Sequence, residues 1–169
     1  MKLFSLKSKL VAATAATAIL SSGMAVAEES NSNNIMMGFN PFGSSNISAT
    51  APDYMIGLKV SETLMPYGYV TLADRGGNSD TAFGIGGGAR LYLGDISNRI
   101  RPFAGGALGI YNETDTGFGL GAFFGAEAMI TDGISISGQI GAEIGDRGCT
   151  GCDTAIELGT ANVMFNLYF

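Results

Sequence analysis

Residues 81 to 94 read TAFGIGGGARLYLG. The odd positions are Phe83, Ile85, Gly87, Ala89, Leu91 and Leu93; the even ones include Gly84, Gly86, Gly88, Arg90 and Tyr92. Successive side chains of an extended strand point to opposite faces. The alternation therefore predicts a strand with one apolar face and one face of glycine around a single cation. That second face is too sparsely charged for a solvated surface. It suits the inside of a narrow enclosure, where side chains are small or paired.

The same period recurs along the chain. Ile100, Pro102, Ala104, Leu108 and Ile110 oppose Arg101, Phe103, Gly105, Ala107 and Gly109. Phe118, Leu120, Phe124, Ala126 and Ile130 oppose Gly117, Gly119, Gly121, Gly125 and Glu127. Ile134, Ile136, Ile140 and Ile144 oppose Ser135, Ser137, Gln139, Gly141 and Glu143. At the end, Val163, Phe165, Leu167 and Phe169 oppose Asn162, Met164 and Asn166. Weaker segments at 35–40, 54–60 and 66–74 bring the number of expected strands to eight. Short turns are expected at 61–65, 95–98 and 131–133. They alternate with longer polar connections at 41–53, 75–80, 112–116 and 146–153, as an even-stranded up-and-down barrel requires.

Two barrels share this alternation. A soluble, lipocalin-like barrel turns its apolar face inward; an outer-membrane barrel turns it to lipid and keeps a polar lumen. The Gly, Ala and Ser face with about one charge per strand favours the second, and eight strands leave room only for side chains in the lumen. Lys59, Arg90, Arg101, Glu127, Gln139 and Glu143 fall on that face as a lumenal polar network. At least one Arg–Glu pair is expected, since a lone buried charge is costly. Two aromatic belts are expected. Tyr67, Tyr69, Tyr92, Phe103, Tyr168 and Phe169 lie toward the short turns; Phe39, Phe83, Tyr111 and Phe118 lie toward the long loops.

Residues 1–27 read as a secretory signal peptide, with Lys2, Lys7 and Lys9, an apolar run from Leu10 to Leu20, and Ala25-Val26-Ala27 before Glu28. The barrel domain is expected over 28–169. Loss of the three lysines leaves six cations against fifteen acids, a net charge of −9. No basic patch remains to bind nucleic acid.

The segments at 84–95 (GIGGGARLYLGD), 101–112 (RPFAGGALGIYN) and 125–145 (GAEAMITDGISISGQIGAEIG), with the terminal VMFNLYF, resemble the small outer-membrane β-barrel domains of the outer membrane protein A and opacity-protein type. The resemblance runs from about residue 35 to the end. It implies a Gram-negative outer membrane, surrounded by lipids and lipopolysaccharide. It also implies that the strand carrying Val163, Phe165, Leu167 and the final Phe169 is the signal read by the outer-membrane assembly machinery. No peptidoglycan-binding domain follows the barrel, so a wall-tethering role is not expected, and two short outer loops weaken an adhesin role.

Few residues offer chemistry. The chain has no histidine, the usual general base, and no clustered acid pair stands out. Cys149-Thr-Gly-Cys152 reads as a small structural disulfide formed on export, since a redox motif would open a helix in a βαβ unit and two thiols fall short of a metal ligand set. Gly84–Ala89 matches G-x-G-x-x-A and Gly117, Gly121 and Gly125 match GxxxG, but both lie in alternating strands instead of at helices. The acids Asp53, Asp80, Glu113, Asp115, Asp146 and Asp153 on or beside the outer loops are solvated, or link to lipopolysaccharide phosphates through divalent cations. No cofactor is expected. The expected protein is a non-enzymatic, monomeric outer-membrane barrel, envelope-structural or at the surface, with a narrow, mostly plugged lumen. Its rivals are a small-solute pore, a surface adhesin and a soluble ligand-binding barrel.

Overall fold

A computed structural model describes residues 34–42, 48–73, 82–94, 99–112, 115–146 and 154–169. They form eight strands: β1 (Ile35–Phe39), β2 (Tyr54–Leu58), β3 (Leu64–Ala73), β4 (Ala82–Tyr92), β5 (Ile100–Asn112), β6 (Thr116–Thr131), β7 (Ile134–Asp146) and β8 (Ala155–Tyr168). Each strand pairs antiparallel with the next, and β8 pairs with β1 to close the barrel. The seam is completed by Phe169, whose N–H donates to Ile35 O at 2.9 Å and whose carbonyl accepts from Ile35 N at 3.2 Å.

The wall is low on one side. β1 and β2 have five residues each, against sixteen in β6 and fourteen in β8. Proline explains the short pair. The β1–β2 ladder runs on to Asn40, whose N–H donates to Asp53 O at 2.7 Å. The next residues outward are Pro41 and Pro52, and neither has an N–H to continue it.

β8 begins at Ala155, earlier than the expected closing strand. A bulge re-phases it. Gly141 faces Thr160 and Ala142 faces Leu158, so Gly159 is the extra residue. Gly159 has φ 77°, a conformation that favours glycine. The inserted residue moves the outward parity from odd to even. Ile156 and Leu158 therefore point out alongside Val163 and Leu167.

The apolar side chains face outward. Ile100, Leu108, Phe118, Leu120, Phe124, Ile140 and Ile156 are all more than half exposed. Arg90 and Glu127 are wholly inaccessible inside. Water does not tolerate so continuous an apolar belt, and a soluble barrel has the opposite order. The soluble, lipocalin-like alternative is thereby excluded. The chain is a transmembrane barrel with its apolar face to lipid.

Candidate functional site in the barrel interior

The interior is filled in three levels. At the short-turn end, Glu127 of β6 accepts from five side chains. Arg101 Nη2 lies 2.9 Å and Tyr92 Oη 2.8 Å from its Oε2. Ser135 Oγ, Tyr168 Oη and, at 3.4 Å, Asn166 Nδ2 donate to its Oε1. The Arg101 guanidinium also stands 4.9 Å over the Tyr92 ring. These donors come from β4, β5, β7 and β8, so one carboxylate on β6 ties together five consecutive strands, about half of the barrel wall. The strong, charge-assisted contacts offset its desolvation.

The middle level is bulky. Tyr67, Tyr69, Phe103, Phe123, Met36, Met55, Met65 and Met164 are buried together, and Arg90 stands 4.5 Å over the Phe103 ring. Glycine makes the space. Along the paired strands, Tyr69 is followed inward by Gly86, Gly109 and Gly119, and Arg90 by Gly105 and Phe123. A Cβ at Gly86 would lie 2.5 Å from Tyr69 Cζ, and one at Gly125 2.7 Å from Phe103 Cζ. The glycine face of TAFGIGGGARLYLG is thus the seat of tyrosines carried by β3.

At the loop end the filling is the chain itself. Residues 48–53, between β1 and β2, are all buried within the barrel. Glu143 Oε2 accepts from Ser48 Oγ at 2.6 Å and from Ala49 N at 2.8 Å, while Tyr111 Oη donates to its Oε1 at 2.6 Å. Gln139 Nε2 donates to Thr50 O at 2.6 Å, and Asn162 Nδ2 to Pro52 O at 2.9 Å. Thr50 Oγ1 lies 2.5 Å from Thr160 Oγ1. At the segment's root, Asp53 Oδ2 accepts from Leu72 N and Thr71 Oγ1.

Several expectations change here. The stretch 41–53 is no free outer loop over its described C-terminal half, because small side chains let its backbone enter the lumen and meet polar walls. Asp53 is likewise inside, bound to β3. Tyr67, Tyr69, Tyr92, Phe103 and Tyr111 belong to the packed interior instead of the belts, because the facing glycines leave room for their rings. Tyr168 also reaches inward, to Glu127. Phe39, Phe83 and Phe118 do face out toward the loops, joined by Tyr54; Phe169 faces out at the other end. The lumen is not restricted to small groups.

Of the six residues expected as a lumenal network, five lie buried inside but in separate groups. Arg101 pairs with Glu127, Arg90 Nη2 donates to Gln139 Oε1 at 3.0 Å, and Glu143 holds the inserted segment. Lys59 lies just past β2, half-buried, and its side chain joins none of these described contacts. Sequence reading missed Tyr92, Ser135, Asn166 and Tyr168 as partners of Glu127, and Ser48 and Ala49 as partners of Glu143. The opposed prolines 41 and 52 are the one local signal that the chain leaves the wall there. Val163, Leu167 and Phe169 face outward, and Phe165 stacks on Phe39 with centroids 5.8 Å apart. Residues 1–27, Cys149 and Cys152, and the acids Asp80, Glu113 and Asp153, lie outside the described residues. Among those described, no group of three or more His, Cys, Asp or Glu residues could hold a metal ion.

Neisserial surface protein A, seen in a crystal structure, matches this chain with a TM-score of 0.50 and 14% sequence identity over 84% of this chain and 100% of its own. The fold is that of a small outer-membrane barrel. The solution structure of the E. coli outer membrane protein W matches with a TM-score of 0.47 and 9% identity, over 83% of this chain and 100% of its own. No protein-family model matches the chain, and no curated protein matches it. At such low identity the likeness to the first of these shows a shared barrel architecture alone.

Proposed function

We propose that this barrel is a non-enzymatic resident of the bacterial outer membrane that serves the envelope as a structural or surface protein and conducts no solute. The observation that carries this reading is the filled interior. The Glu127 cluster, the aromatic and methionine layer with Arg90, and the inserted segment stand in series along the lumen. An eight-stranded lumen is only wide enough for side chains to fill, and filling at three successive levels among the described residues supports a lumen closed to solutes. The absence of histidine in the whole sequence supports the non-enzymatic part. Its partners are the lipids and lipopolysaccharide around it and the machinery that inserts it; a closed ladder with no free seam suits a monomer.

Membrane fractionation tests the setting. The protein is expected in the outer-membrane fraction, extracted only by detergent, and to migrate on gels at a position that depends on heating. Recovery in the periplasm without detergent overturns the reading. Planar bilayers test the closed lumen: no stepwise conductance is expected, and reproducible steps overturn it.

Deletion of Phe169 removes both main-chain bonds to Ile35 and the outward aromatic that follows β8. The truncated chain is expected to reach the periplasm at the normal level and to lose at least tenfold in folded, outer-membrane protein. Quantitative blotting of the two fractions measures this; normal assembly refutes an assembly role for the terminal strand.

A further inference from the structure

The three levels of the lumen are held by different forces. The middle level is aromatic rings and thioethers, whose retention comes from burial that water cannot replace. The loop-end level is not. Its side chains are those of Ser48, Ala49, Thr50, Ala51, Pro52 and Asp53, which offer little apolar area. Its outer part is held by hydrogen bonds that Glu143 accepts from it, that Gln139 and Asn162 donate to it, and that the Thr160 hydroxyl shares with Thr50. Water can take over each of these, because the walls left behind are themselves polar. The root is fixed differently. Asp53 N donates to Val70 O and Asp53 Oδ2 accepts from Leu72 N, which anchors one end of the segment to β3.

We propose that residues 48–52 are a detachable stopper, hinged at Asp53 and latched by Glu143, that closes an outward-facing polar cup whose floor is the aromatic and methionine layer. Glu143 is the latch because a single carboxylate takes two donors from the stopper, the Ser48 hydroxyl and the Ala49 N–H, while Tyr111 steadies its other oxygen. The cup has its own unsatisfied chemistry. Asn162 Oδ1 on its wall, and Arg90 Nε and Nη1 at its floor, are buried with no hydrogen-bond partner among the described residues. Asn162 holds Pro52 O, and Arg90 is one link away through Gln139, which holds Thr50 O. Buried polar groups in native proteins are nearly always partnered. Release of the stopper would let water or a small polar solute from outside reach these groups, while the layer below still blocks passage through the barrel. The cup is thus a blind chamber and not a pore.

Ala107 provides the reporter. It is buried and aligned in register with Gly121 and Glu143 on the next two strands, and a Cβ at Gly121 would run into Thr50 Cγ2. Ala107→Cys is introduced with Cys149→Ser and Cys152→Ser, so that one thiol remains. The full chain is refolded in lipid vesicles or displayed on cells, and treated with a membrane-impermeant maleimide. With the stopper intact the thiol is expected to react slowly. With Glu143→Ala it is expected to react at least tenfold faster, at an unchanged folded fraction by heat-dependent gel mobility. Ser48→Ala with Thr50→Val, which leaves every strand residue in place, carries the same expectation should Glu143→Ala fail to fold. Equal, slow labelling in the folded variants means the segment is fixed core and overturns the proposal. Fast labelling with the stopper intact means it seals nothing and overturns it as well. Accelerated labelling without stepwise conductance supports the blind cup; conductance steps in the variants show that the floor is open and refute that part.

Discussion

Gly105→Ala is expected to abolish the folded, heat-shifted form of the barrel, while Gly106→Ala leaves it intact. The two glycines are neighbours in β5 with opposite facings. A Cβ at Gly105 would collide with the Ala89 carbonyl and the Phe123 ring, both closer than real contacts allow. The carbonyl belongs to the β4–β5 ladder and cannot yield without breaking it. The ring is wedged between Tyr67 and Phe103, with centroids 6.4 Å and 6.2 Å away. Overpacking a core usually costs about 1–3 kcal/mol. With a backbone atom among the obstacles, the upper end of that range or more is expected. A Cβ at Gly106 meets nothing nearer than Gly121 O at 3.4 Å and faces outward. There the loss of glycine's backbone freedom acts alone, and the variant is expected to be neutral or more stable by up to about 1 kcal/mol. Urea unfolding in lipid vesicles, read by gel shift, measures both. Equal folded fractions for the two variants would show that the interior yields more than its packing implies.

The second large effect is at Glu127. Its loss leaves the Arg101 guanidinium buried without its ion-pair partner and removes the acceptor for Tyr92, Ser135 and Tyr168. Removing one member of a buried pair costs about 3–5 kcal/mol, because the other is left charged and unpaired. Glu127→Ala is expected to lose that much stability, and Glu127→Gln less, since it keeps the shape and one acceptor oxygen. The double variant with Arg101→Ala is expected to lose less than the sum of the single losses, since the orphaned charge is gone. The same urea titration provides all four corners of the cycle. An additive double variant would mean that Arg101 and Glu127 act independently despite their 2.9 Å contact.

The two predictions differ in how far the sequence foretells them. That Gly105 and Arg101 share one face of β5, opposite Leu108, is legible from period 2 alone. So is the placing of Glu127, Gln139 and Glu143 inside, because a strand's parity is a local property. Strand number, the tight turn near Gly133 and the apolar exterior follow from the same alternation. Parity fails only where a residue is inserted. Gly159 shifts the phase of β8, which is why the chain from Ala155 to Ala161 does not read as part of the closing strand.

What the sequence by itself determined is therefore a barrel with an apolar outside, and which residues stand on its inner face. Only the tertiary structure decided which of those residues meet. Partners inside a barrel are set by the register and stagger of strands far apart in sequence, and no local pattern records them. That is why Tyr67 and Tyr69 pass for belt residues until the glycines of β4 are seen opposite them. It is also why Glu143 looks like a charge in search of an arginine. Its donors are Tyr111 of β5 and a hydroxyl and a backbone amide from a segment 94 and 95 residues earlier in the chain. A main-chain N–H is present at every residue but proline, so a sequence cannot mark the one that a buried carboxylate will choose.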